Sequence, residues 1–216
     1  MFKLEKCRKI FIDFDGVIVD SNKFKEEAIQ HAIIKLLGHT KNNIKAIEYF
    51  NINAGISRKK KLSLFFKEKD ITQIMEIYSK DCKKFFSTAN PTNGLKEFLA
   101  YLNINHKNIK KYILSGGEKG EIEYFLNKNS LNDFFEEILA SEKSKLKHLK
   151  DKQVEHNDIF IGDSKNDLKA AIESGIKFIL FEEYKSLKSY PKDEFIKKDI
   201  ILKTKNFESL IFLLSQ

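Results

Sequence analysis

The sequence predicts an α/β fold in which helices cover both faces of a parallel sheet and a helical subdomain is inserted after the first strand. Three observations carry this expectation. Short apolar runs, mostly β-branched or aromatic, alternate with helical patterns, as parallel sheets require. The stretch from about Asn22 to about Ser87 breaks that alternation and reads as helix throughout. At 216 residues, 42% of them hydrophobic, the chain can bury a full core and still carry such an insert.

Each element has its own signal. Strands are expected at Ile10 to Phe14, Tyr112 to Leu114, Ile138 to Leu139, Ile159 to Ile161 and Phe178 to Phe181, with Ile200 to Leu202 as an edge strand. Core helices follow from Leu95, Phe98, Leu99 and Leu102, from Ile122, Phe125 and Leu126, and from Leu168, Ala171 and Ile172. Phe207, Leu210, Ile211 and Leu214 predict a closing helix. Within the insert, Phe24, Ala28, Ile29, Ala32, Ile33 and Leu36 share one helical face, with Ser21 as N-cap and Gly38 just past the end. Leu62, Leu64, Phe65 and Phe66 predict a second helix, and Ile71 through Phe85 a third. An insert of this length exceeds any crossover loop. Asn90-Pro91-Thr92-Asn93-Gly94 marks the return of the chain, so residues 1–20 and 88–216 are expected to form the core and 21–87 the cap.

The chemistry begins at Ile10-Phe-Ile-Asp13-Phe-Asp15-Gly16, where two acids one residue apart end an apolar run. Strand side chains alternate between faces, so acids two apart share a side, and an acid pair at the mouth of a buried strand is costly unless a cation or a reaction uses it. Ligands of open parallel sheets gather at the carboxyl ends of strands. There the sequence also places Ser115-Gly116-Gly117, a lysine after Ile138-Leu139, and Gly162-Asp163-Ser164-Lys165-Asn166-Asp167. Acids, a hydroxyl in a glycine turn and a lysine are the groups that hold a divalent cation and a phosphoryl group together. Taken singly, each has a plainer reading: the first could open a calcium loop, although Val17 and Ile18 break that pattern, and the others could be turns or helix caps.

In order, these four motifs resemble those of the haloacid dehalogenase superfamily, and the insert resembles the class I cap of its phosphoglycolate phosphatase and beta-phosphoglucomutase-like branch. The resemblance implies a Rossmann-like core and a phosphoric monoester hydrolase. It implies that Asp13 is the nucleophile, that Asp15 is the general acid and base, and that Ser115 and the amide of Gly116 bind phosphoryl oxygens. Asp13, Asp163 and the backbone carbonyl of Asp15 would ligate Mg²⁺, and Asp167 would orient the lysine or a metal-bound water. Lys145 aligns better than Lys143 with the third motif, in which Ala140 and Glu142 replace the usual Gly and Pro. Asn53-Ala-Gly55-Ile-Ser57-Arg58 is similar to a cap segment whose arginine holds substrate; otherwise Ser57 caps a helix and Arg58 is solvated.

Asp15 favours phosphoryl transfer over carbon–halogen cleavage, which has no leaving oxygen to protonate. The expected activity is a Mg²⁺-dependent phosphatase acting on a small phosphorylated metabolite. The alternatives are a sugar-phosphate mutase and a non-catalytic ligand-binding relative. The formal charge of +8 is spread along the chain and is not expected to serve nucleic acid. No apolar run reaches the roughly 18 residues of a membrane span. With two distant cysteines and no secretory signal, a cytoplasmic location is expected. Substrate identity and oligomeric state are not legible.

Overall fold

The computed structural model describes residues 4–184 and 200–215. Of the core expected over 1–20 and 88–216, residues 1–3, 185–199 and 216 lie outside the described residues. Among the described residues, six parallel strands form one sheet in the order β3-β2-β1-β4-β5-β6. They are β1 (Lys9–Ile12), β2 (Lys110–Leu114), β3 (Glu137–Leu139), β4 (Ile159–Gly162), β5 (Lys177–Phe181) and β6 (Ile200–Thr204). The strand order reverses between β1 and β4, which opens a crevice beyond their carboxyl ends.

Side-chain alternation divides the core between the two faces of the sheet. Ile10, Ile12, Ile113, Ile159, Ile161 and Ile179 pack on one face with α5 (Leu95–Asn105), α6 (Lys119–Lys128) and α9 (Phe207–Leu214). Phe11, Tyr112, Leu114, Phe160, Phe178 and Leu180 pack on the other with α7 (Lys145–Asp151) and α8 (Lys165–Ser174). Burial on both faces explains why these strands read as continuous apolar runs.

Between β1 and β2 the chain forms a helical cap: α1 (Asn22–Leu37), α2 (Lys41–Ile52), α3 (Arg58–Leu62) and α4 (Glu68–Phe86). Helix α2 was not anticipated. Its buried stripe of Asn43, Ala46, Ile47 and Phe50 starts with an amide, which a search for apolar periodicity passes over. Asn43 earns its burial by donating to the carbonyls of Leu37 and Gly38 at the end of α1, at 3.1 and 2.8 Å. The helix expected through Leu64, Phe65 and Phe66 stops at Leu62; those residues form a turn, and Leu64 is exposed.

Aromatic packing makes the cap and the core continuous. Phe14, after β1, lies 5.6 Å from Phe86 of the cap and 5.3 Å from Phe125 of α6, centroid to centroid. The two connections between cap and core are also tied to each other. Thr92 donates its hydroxyl to the Val17 carbonyl at 2.6 Å and its amide to the Ile18 carbonyl at 3.0 Å.

Candidate active site

Strand β1 ends at Ile12, so Asp13 and Asp15 both lie beyond it, and strand alternation does not relate them. The cause is local: the Asp13 carboxylate accepts the Phe14 amide at 2.8 Å, and Gly16 turns the chain at φ +76°. Side-chain space is equally decisive at Gly16, where an added Cβ would lie 2.5 Å from an Asp163 oxygen and 2.2 Å from the Asn22 amide nitrogen.

Asp13 follows β1 and Asp163 follows β4, the two strands that flank the reversal. The Asp13 amide donates to Ile161 across the pair at 2.9 Å. One carboxylate oxygen each from Asp13, Asp163 and Asp167 lie within 4.8 Å of one another, and all three residues are buried. Lys145, at the start of α7, reaches into this cluster with its ammonium 2.8 Å from Asp13 and 2.5 Å from Asp167. Lys143 instead pairs with Asp151 at the surface. Asp167 uses its second oxygen as an acceptor for the Ser164 amide and hydroxyl, closing a capping box on α8. Both Asp167 oxygens are therefore engaged. Asp13 Oδ2 and Asp163 Oδ1 have no hydrogen-bonding partner among the described residues.

The electrostatics fit a cation. Burial, then Asp167, raises the Asp13 carboxyl well above its usual range despite Lys145. Burial, again with Asp167, pushes Asp163 up to about 8 despite Asn22 and Lys145. One buried ammonium does not balance these carboxylates, and a divalent cation is the partner that such a set of oxygens suits.

Asp15 has a different environment. Ser21 donates to it at 2.5 Å and the Lys25 ammonium pairs with it, both from the start of α1. Burial alone would raise its pKa, but Lys25, Ser21 and Arg58 outweigh burial and hold it below the ordinary carboxylate value. Ser21 thus occupies the N-cap position without capping the helix. Ser115, at the end of β2, is buried and accepts the Gly117 amide at 2.9 Å, which leaves its hydroxyl hydrogen free to donate. Gly116 meets the cap: an added Cβ there would lie 2.7 Å from the Gly55 carbonyl oxygen.

Arg58 is not solvated; it is 3% exposed. Its guanidinium makes a two-bond pair with Glu121 of α6, at 2.7 and 2.5 Å, and lies 4.6 Å from the Tyr78 ring centre. Asn166 of α8 donates to the Ala54 carbonyl, a further bond between core and cap. Asp13, Asp15, Arg58, Gly116 and Asp163 all line one cavity of about 70 Å³. Lys25, Asn22, Lys61 and Glu121 belong to the same neighbourhood and were not anticipated from sequence. Ser21 and Lys25 did leave a signal, because positions i and i+4 at the start of a helix beside an acid motif share one face; Asn22, one residue on, lies off that shared face and left none. Lys61 and Glu121 left none.

The haloacid dehalogenase-like hydrolase family model matches residues 10–181. Solved structures share the fold across nearly the whole chain. A beta-phosphoglucomutase from Clostridium difficile is 21% identical with a TM-score of 0.71, covering 94% of this chain and 93% of its own. CbbY from Rhodobacter sphaeroides, solved in complex with phosphate, is 13% identical with a TM-score of 0.72, covering 94% and 96%. A predicted phosphoglycolate phosphatase from Haemophilus somnus is 15% identical with a TM-score of 0.70, covering 97% and 98%. No curated protein matches the chain. Since the matched segment spans both the helical insert and the strand ends that carry the acids, this chain belongs to the haloacid dehalogenase-like hydrolases.

Proposed function

We propose that this protein is a Mg²⁺-dependent phosphatase of the cytoplasm, hydrolysing a small phosphorylated metabolite through an aspartyl-phosphate intermediate. One observation carries the proposal: Asp13, Asp163 and Lys145 converge, buried, in the crevice where the strand order reverses. Asp13 Oδ2, with no protein partner among the described residues, is the attacking atom; it bonds to phosphorus as the bond to the leaving oxygen breaks. Ser115 Oγ and the Gly116 amide donate to the phosphoryl oxygens, and Lys145 offsets the charge on Asp13. Asp15 protonates the leaving oxygen and then takes a proton from the water that releases phosphate. Lys25 and Ser21 favour its ionised form, which suits the second half; the first half requires the Lys25 contact to break. Asp13, Asp163 and the Asp15 carbonyl would hold Mg²⁺, which supplies charge neutralisation at the phosphoryl group. Asp167 keeps Lys145 in place, with Oδ1 on the ammonium and Oδ2 anchored to Ser164.

The cap, taken as residues 21–87, covers this chemistry and pivots where Thr92 meets Val17 and Ile18. A mutase reading would use Arg58 to hold the far end of a sugar phosphate. The pairing of Arg58 with Glu121 favours hydrolysis instead. Wild-type protein should release inorganic phosphate from an aryl phosphate with Mg²⁺ and stop when the metal is chelated. Asp13→Asn should lower that rate by at least about a thousandfold. Undiminished release by Asp13→Asn would overturn the proposal, and interconversion of hexose phosphates without net release would select the mutase.

A further inference from the structure

Three basic side chains line the same cavity as the acids: Lys25, Arg58 and Lys61. Two are already paired, Lys25 with Asp15 and Arg58 with Glu121. Lys61 is the exception. It is 6% exposed, and no carboxylate pairs with it among the described residues. Its ammonium donates to the Phe50 carbonyl at 3.1 Å and sits 3.4 Å from the Phe50 ring centre, which leaves donor capacity unused. Burial without a counter-ion is expensive for a lysine, and Arg58 and Lys25 nearby add to the cost. A residue held at such cost in the wall of a reaction cavity points to a ligand that supplies the missing charge.

We infer that Lys61 recognises a second anionic group of the substrate, at the end away from the phosphoryl group. The assignment deepens the phosphatase reading and rests on it. It also moves far-end recognition from Arg58, whose guanidinium is engaged, to a side chain three residues on in the same helix. Lys61 lines the same small cavity as Asp13 and Asp163, so both anions should be separated by only a few carbon atoms. The shared chemistry is a phosphomonoester with a carboxylate or a second phosphate at its far end.

Three compounds of similar length test this: 2-phosphoglycolate, ethylene glycol bisphosphate, and ethyl phosphate, which lacks the second anion. Binding is measured by calorimetry with Mg²⁺ in an Asp13→Asn background, so that turnover does not interfere, and hydrolysis is measured in parallel on wild type. With Lys61 present, at least one two-anion compound should bind about 10- to 100-fold more tightly than ethyl phosphate. Lys61→Met should reduce that preference to within about threefold, whereas Lys61→Arg should keep most of it. Which compound is preferred identifies the second anion. Absence of any preference with Lys61 present, or a preference that survives Lys61→Met, overturns the inference. Should Lys61→Met fail to fold, Lys61→Gln carries the same comparison. Lys61-dependent binding without hydrolysis by wild type would reject the phosphatase reading and leave the recognition intact; hydrolysis with no Lys61-dependent preference would do the reverse.

Discussion

Two lysines two residues apart show how burial sets one ionic environment against another. Lys145 is the ammonium shared by Asp13 and Asp167, whereas Lys143 pairs with Asp151 in water. Lys145→Met should therefore destabilise the fold by about 3–5 kcal/mol, because it strands buried carboxylates. Lys143→Met should barely change it, and urea denaturation compares the two. A shift of equal size for both would contradict the burial argument. Lys61 makes the opposite prediction. Burial, with Arg58 and Lys25, lowers its pKa from 10.5 to about 7. Below about pH 7 the folded and unfolded states are both protonated, so the full penalty of the buried charge falls on the fold. As pH rises toward the ordinary lysine range the folded state deprotonates first, and the penalty fades. Lys61→Met should thus stabilise the protein by roughly 2–4 kcal/mol near pH 6 and by little near pH 10. Equal stabilisation at both pH values would show that charge is not the cause.

Among elements, the contacts between cap loop and core depend on backbone approaching backbone. Gly116 faces the Gly55 carbonyl so closely that Gly116→Ala requires one of the two segments to shift. We expect at least about a tenfold loss of kcat/KM for a small phosphate ester, with Tm little changed, since the strands beneath are untouched. An unaltered kcat/KM would mean that the cap does not seat on Gly116 during turnover. This contact was invisible in the sequence, where Gly116 reads only as part of a turn. The strands were legible because double-sided burial writes them as unbroken apolar runs. α1 was legible from its stripe and from Gly38. α2 was hidden by Asn43, whose partners are carbonyls of another helix. The acid, hydroxyl and lysine positions stood out because each follows a strand of a parallel sheet, where ligands gather. Lys61 did not, since one lysine among many carries no periodic or positional mark, and only the fold reveals that it is buried.

At the scale of the whole molecule, Arg58 and Glu121 join cap to core through a pair that is nearly dry. Removing the acid leaves an unpaired guanidinium beside Tyr78. Glu121→Ala should accordingly loosen the cap, raising amide hydrogen exchange in α3 while leaving β1 and β4 protected. Unchanged exchange in α3 would show that the aromatic contacts of Phe14, Phe86 and Phe125 hold the cap unaided. The cavity beneath has a consequence for rate. Chambers that house small-molecule ligands usually measure about 300–1,000 Å³, several times the space enclosed here. For the hydrolysis we propose, passage of an ester and its products beneath this roof would make a breath of the whole upper storey part of each catalytic cycle. Thickening the solvent with sucrose should therefore slow a fast substrate more than a sluggish one, because only the former waits on the door.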